Sequence, residues 1–233
     1  MKKIFGLFLL CVSFSWAGIS FASGDTHPLA DVDIPQDEAS IKRGLMVYYD
    51  SCRMCHSMKY IQYRGLADIG LSDTEISNLR GDKPLSDRFS STTTDETAND
   101  LFGMVPPDLS LMAKARKQGP RYIYTLLTSY YEKSEGVYEN KHFPGIKMPD
   151  VFAYSVALNA EEKSVIENKV KDITSFLLWA SDPRAKERKS LGVYVIGYLV
   201  ILSAMFYFLM KRVWARLDDE DESAVGCRST DSV

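Results

Sequence analysis

The pentapeptide Cys52-Arg53-Met54-Cys55-His56 constrains this chain more than any other stretch. Two cysteines three apart, followed directly by histidine, form the attachment pattern for c-type haem. Each thiol adds across one vinyl group of the haem and leaves a thioether. The imidazole beside Cys55 then reaches the iron from the proximal side. Two other readings compete. A thioredoxin-like redox pair would need a βαβ context, and the flanking sequence has none. A zinc half-site would need a second Cys/His cluster to complete four ligands, and no such cluster is visible in the sequence.

The ends of the chain set its organisation. Lys2 and Lys3 make a basic start, Ile4 to Trp16 is apolar, and Ser20-Phe21-Ala22 carries small residues suited to a signal peptidase. Residues 1–22 therefore read as a signal peptide cleaved after Ala22, and Cys11 leaves with it. Near the other end, Ser190 to Met210 carries no charged residue and spans about 30 Å as a helix, one bilayer core. Arg188 and Lys189 flank it on one side and Lys211, Arg212 and Arg216 on the other, so the positive-inside rule gives no orientation. The cleaved signal does. Residues 23–189 form a translocated, periplasmic haem domain, 190–210 the single-pass anchor in a bacterial inner membrane, and 211–233 a cytoplasmic tail. That tail, with its Asp218–Glu222 acidic run, is expected to be disordered. The chain has four cysteines: Cys11, Cys52, Cys55 and Cys227. With one in the signal and one in the tail, a structural disulfide in the mature head would compete with haem. A formal net charge of −3 argues against nucleic acid as a partner.

Between those ends the patterning is mostly helical. Pro28 and Pro35 punctuate an extended stretch at 23–36. Ile41, Leu45 and Tyr48 recur at helical spacing and predict a helix from Asp37 to Tyr49. Gly44, inside it, costs about 1 kcal/mol relative to Ala and suggests that another helix crosses closely. Ser72-Asp73-Thr74-Glu75 is a capping-box pattern opening a short helix to Leu79. Residues 81–100 read as a long surface excursion. A basic helical piece follows Pro106-Pro107-Asp108-Leu109-Ser110 and runs through Arg116, before Gly119-Pro120 breaks it. Pro120 then starts a helix with Tyr122, Ile123, Leu126, Leu127 and Tyr130 on its apolar face. Glu132 to Phe152 reads as loop. Asn159 and Glu162 cap a further helix, with Val165, Ile166, Val170, Ile173, Leu177 and Leu178 facing inward and an end at Asp182-Pro183. The large side chains near Leu178 and Trp179 are expected to fill the space that Gly44 leaves.

A methionine sulfur on the distal side of a haem iron raises its reduction potential. Met148 fits best, because a Met-Pro step in a loop holds the sulfur on stiff, extended backbone. Met104, also near prolines, and His142 compete with it. Met54 is on the wrong side, Met58 barely past the motif, and Met46 expected in the core. From Asp68 to Asp100 eight acids face three bases, five net negative charges. Such a run is either a solvated face or a docking surface for a basic partner.

These pieces together resemble the cytochrome c1 family, the membrane-anchored haem subunit of quinol–cytochrome c oxidoreductase. The resemblance covers nearly all of the mature chain. It rests on Arg43-Gly44-Leu45-Met46-Val47-Tyr48 leading into Cys52-Arg53-Met54-Cys55-His56-Ser57-Met58, and on Pro106-Pro107-Asp108-Leu109-Ser110. It rests also on Leu126-Leu127-Thr128-Ser129-Tyr130, on Phe176-Leu177-Leu178-Trp179-Ala180 with Asp182-Pro183, and on the anchor. It implies a mainly α, class I cytochrome c-like haem domain with long loop insertions plus one C-terminal transmembrane helix. It implies one covalent haem c, with Cys52 and Cys55 as attachment points and His56 and Met148 on the iron. By the same matching Arg116 pairs with a haem propionate, and Tyr122 and Pro107 belong to the pocket. The implied role is an electron-transfer subunit rather than a stand-alone enzyme. Its implied partners are cytochrome b, a Rieske iron–sulfur protein as donor and a cytochrome c as acceptor, in a dimeric complex. A different anchored cytochrome and a haem sensor with an open iron position are the other classes in play.

Overall fold

Residues 27–228 are described by the computed structural model, with side chains through Arg216. The signal segment with Cys11, the side chain of Cys227 and the last five residues of the tail lie outside them. The chain divides into two compact units between Leu178 and Trp179.

The first unit opens with helix α1 (Glu38–Val47), capped by Asp37, whose carboxylate accepts from the Ser40 amide. A single π-helical turn, Tyr48–Cys52, carries the chain from α1 into the attachment motif. After the motif come strand β1 (Met58–Gln62), a 3-10 segment (Tyr63–Ile69) and helix α2 (Asp73–Arg80). The Ser72–Glu75 capping box is present in full. Strand β2 (Arg88–Phe89) pairs antiparallel with β1, and helix α3 (Asp95–Phe102) follows. Helices α4 (Met112–Ala115) and α5 (Gly119–Leu127) come next, with Pro120 in the first turn of α5. Strands β3 (Tyr130–Ser134) and β4 (Val137–Asn140) form an antiparallel hairpin. A 3-10 turn (Tyr154–Val156) leads into helix α6 (Ala160–Ala180), whose first turn is capped by Asn159 Oδ1 accepting from the Glu162 amide.

The core of this unit is the crossing of α1 and α6. Ile41, Leu45 and Tyr48 on one side and Val170, Ile173, Phe176 and Leu177 on the other are buried. Gly44 lets the backbones meet: a Cβ there would lie 2.0 Å from the carbonyl oxygen of Asp172 and 2.8 Å from Phe176 Cβ. The contact centres on Asp172 and Phe176, one helical turn apart and slightly earlier in α6 than Leu178. Arg43 fastens the crossing with a two-pronged pair to Asp172, both contacts 2.8 Å.

Three expectations are corrected. The 81–100 excursion is not wholly surface, because Phe89 is fully buried among Tyr48, Tyr49 and Tyr63. Tyr130 is buried as expected, but in a strand, and the hairpin replaces part of the 132–152 loop. Val165 and Met46 are exposed.

The second unit contains helix α7 (Ala185–Arg228). Its stretch from Ala185 to Arg216 is long and apolar enough to cross a membrane, and none of its most apolar window is buried. The backbone stays helical past Lys211 to Arg228, where the sequence pattern suggested a disordered tail.

Candidate functional site

The attachment motif sits on a tight backbone. The amides of Cys55 and His56 both donate to the Cys52 carbonyl, at 3.1 and 2.8 Å, so Cys52, Cys55 and His56 are wound into about one turn. Cys52 is buried and Cys55 half-buried. Burial pushes the Cys52 thiol up to about 12, and the neighbouring Cys55 adds to the effect. A reactive Cys-x-x-Cys thiol sits in a partly exposed site, and Cys52 is buried, which counts against the dithiol reading.

His56 is buried, and its Nδ1 donates to the Pro107 carbonyl at 2.7 Å. A carbonyl only accepts, so Nδ1 carries the proton and Nε2 keeps its lone pair, the arrangement that an iron ligand needs. Burial holds the imidazole below its usual range, outweighing the opposing pull of the Pro107 carbonyl and the Asp108 charge. It is therefore a neutral donor at neutral pH. The Tyr48 hydroxyl donates to the His56 carbonyl at 2.9 Å and fixes the backbone behind the ring.

The reach of the Pro-Pro-Asp motif goes beyond Pro107. The Asp108 carboxylate accepts from Ser57 Oγ at 3.0 Å, from the Lys59 amide at 2.7 Å and from the Ser110 amide at 2.9 Å. The Leu109 amide donates to the Ser57 carbonyl and the Tyr60 amide to Ser110 Oγ. Residues 107–110 thus clasp the strand that leaves His56. Burial raises the Asp108 pKa, but hydrogen bonds from Ser110, the Lys59 amide and Ser57 outweigh it and hold the carboxyl below the usual range. Neither Asp108 nor Ser57 stands out in the sequence as part of the site, since their partners lie about fifty residues away.

The Thr92 and Thr93 amides donate to the carbonyls of Arg53 and Met54, the two residues between the cysteines. The acidic stretch is therefore hydrogen-bonded to the attachment loop. Asp68, Asp73, Glu75, Asp82, Asp95, Glu96 and Asp100 are exposed on it.

Arg116 is exposed and lies over the buried Tyr122 ring, 4.5 Å from its centroid, so two residues assigned to one pocket touch. Met148 is half-buried, and its carbonyl accepts from the Tyr130 hydroxyl at 3.0 Å. Of its competitors, Met104 is exposed, and the His142 ring packs edge-on against His27 with centroids 5.7 Å apart. Two thiols on one turn and one neutral imidazole with its outer nitrogen tied down fit a haem c.

The Cytochrome C1 family profile matches residues 34–217. The chain belongs to the cytochrome c1 family. A cytochrome c1 of Allochromatium vinosum is 30% identical over 91% of this chain and 98% of its own length. That of Rhodospirillum rubrum is 32% identical over 76% of this chain and 82% of the relative. The match to the Bradyrhizobium diazoefficiens cytochrome b/c1, at 34% identity, covers 77% of this chain but only 33% of that longer protein. A chain of a hyperthermophilic respiratory Complex III superposes with a TM-score of 0.50 over 93% of this chain and 99% of its own, at 18% identity, which shows a shared fold. As a cytochrome c1, the chain is a membrane-anchored, haem c-bearing electron-transfer subunit of the bc1 complex.

Proposed function

We propose that this cytochrome c1 takes one electron from a Rieske iron–sulfur protein and passes it to a cytochrome c docked on its acidic face. Cys52 and Cys55 would anchor the haem through thioethers, His56 and Met148 would bind its iron, Arg116 would pair with a propionate, and Tyr122 and Pro107 would form part of the pocket wall. The haem domain faces the periplasm beside cytochrome b, within a dimeric complex in a bacterial inner membrane. Haem c supplies a one-electron Fe(III)/Fe(II) couple, and a thioether donor raises its potential toward the range of Rieske centres, which extends to about +300 mV.

The chain's own residues prepare that couple. Pro107 orients the His56 ring, and Asp108 holds the strand behind it. The observation that carries the docking reading is the pair of hydrogen bonds from Thr92 and Thr93 to the attachment loop. They hold the start of the acidic α3 next to the cysteines, with Asp95 and Glu96 exposed in its first turn. Negative charge beside the cofactor loop raises the local concentration of a basic partner and speeds its encounter.

Stopped-flow transfer to a basic cytochrome c tests this. The rate is expected to fall as ionic strength rises past about 0.1 M, where the screening length shortens to about 10 Å. Neutralising Asp87, Asp95 and Glu96 is expected to flatten that dependence. A salt profile identical in wild type and the triple variant leaves the acidic stretch as a solvated face and removes the docking claim.

A further inference from the structure

We infer that the β3–β4 hairpin is the device that positions Met148 on the iron, with Tyr130 as its positioning residue. The inference rests on the reading of Met148 as axial ligand and goes on to say what holds it there.

The geometry singles out one rung of the hairpin. Tyr130 and Asn140 face each other across the ladder, and both are buried, at 5% and 1% exposure. Each turns its polar end to the chain beyond β4. Asn140 Oδ1 accepts from the amides of His142 and Phe143, at 2.9 and 3.2 Å, while its Nδ2 donates to the Leu126 carbonyl at 2.7 Å. This ties the start of the methionine loop to the end of α5. The Tyr130 hydroxyl spans the loop and donates to the Met148 carbonyl at 3.0 Å. Beyond Met148, Asp150 accepts from the Ser155 amide and hydroxyl, at 2.8 and 2.6 Å, and closes the loop on its far side.

A loop of this kind needs such a tether. It contains Pro144, Gly145 and Pro149, and Gly145 takes a left-handed φ of +76°, so repeating backbone hydrogen bonds cannot stiffen it. The bond between thioether sulfur and ferric iron is weak, and small changes in where the sulfur rests shift its competition with other donors. A buried phenol on a strand is a fixed point, because its ring is locked by packing and its hydroxyl has one acceptor to serve. Holding the carbonyl of the ligand residue itself limits drift of that residue's backbone without touching the sulfur. The interaction thus acts through Met148, and Tyr130 need not contact the cofactor.

The experiment compares Tyr130→Phe with wild type in the full-length, membrane-extracted haem protein. The variant keeps the ring and its packing and loses only the hydroxyl. Imidazole is titrated against the ferric protein, and displacement of methionine is followed through the sulfur-to-iron charge-transfer band. Loss of one net hydrogen bond is expected to lower the half-displacing imidazole concentration about fivefold, with haem staining and the ferrous spectrum unchanged. Tyr138→Phe, at an exposed position on the same hairpin, is expected to leave the half-point at the wild-type value. A Tyr130→Phe half-point equal to wild type overturns the inference. Met148→Leu separates the two claims: if it leaves the band in place, Met148 is not the ligand and the reading beneath the inference fails. If it removes the band while Tyr130→Phe changes nothing, only the positioning role fails.

Discussion

Gly44→Ala offers a quantitative test of the packing that supports the haem site. The added methyl group would sit 2.0 Å from the Asp172 carbonyl oxygen, and ordinary contact begins near 3.4 Å. Helices α1 and α6 would have to part by more than 1 Å at that point, and the two nearest obstacles are backbone atoms that cannot rotate away. A radial gap of about 0.5–1 Å forfeits a quarter to a half of each dispersion contact, here among Ile41, Leu45, Tyr48, Ile173 and Phe176. Overpacking of this sort costs about 1–3 kcal/mol, and the rigid obstacle places Gly44 at the upper end. The better helix propensity of alanine returns about 1 kcal/mol. The net expectation is a loss of roughly 2 kcal/mol, or a Tm lowered by about 4–8 °C at this chain length. Circular dichroism of the detergent-solubilised holoprotein measures it. Gly65→Ala is the control, since nothing lies within 4 Å of its added methyl. A Gly44→Ala variant as stable as wild type would refute the close crossing.

Two further outcomes follow from the site. Cys52→Ser or Cys55→Ser should reduce covalent haem, and the double variant should show none on a haem-stained denaturing gel. Asp108→Asn should lower stability at neutral pH, because one carboxylate accepts three hydrogen bonds. Its folded pKa lies below the reference value of 3.8, so the carboxylate's contribution is fully present above that value and is lost as pH falls through the folded pKa. The difference in Tm between variant and wild type should therefore shrink only in strong acid, and a difference that vanished between pH 6 and 8 would contradict the assignment.

What was legible in the sequence was local. The capping box at Ser72–Glu75, the Asn159 cap on the Glu162 amide, the Gly44 crossing and the turn of the attachment motif each need only a few neighbouring residues, and each is present in the fold. The contact at Gly44 lies slightly earlier in α6 than its large side chains suggest, because Asp172 reads as a surface charge. Its backbone makes the contact, while its carboxylate turns outward to Arg43. The hairpin is hard to read from the sequence because Glu132, Lys133, Glu135 and Glu139 mask any alternation, and only its first rung is buried. Phe89 was hidden among polar residues, and a lone aromatic announces no strand. The clasp of Asp108 on Ser57 and Lys59 joins segments about fifty residues apart, and no local pattern records such a pairing.

The most direct test of the account is the ferric optical spectrum and redox titration of Met148→Leu in the intact complex. Thioether sulfur favours Fe(II), so its loss should lower the potential by on the order of 100 mV or more, within the roughly 0.8 V that axial ligands span. The charge-transfer band at the red edge should vanish, covalent haem should remain, and quinol oxidation should stall at this subunit. Met104→Leu and His142→Ala should leave band and potential nearly unchanged. Loss of the band in Met104→Leu, with Met148→Leu unaffected, would contradict the ligand assignment.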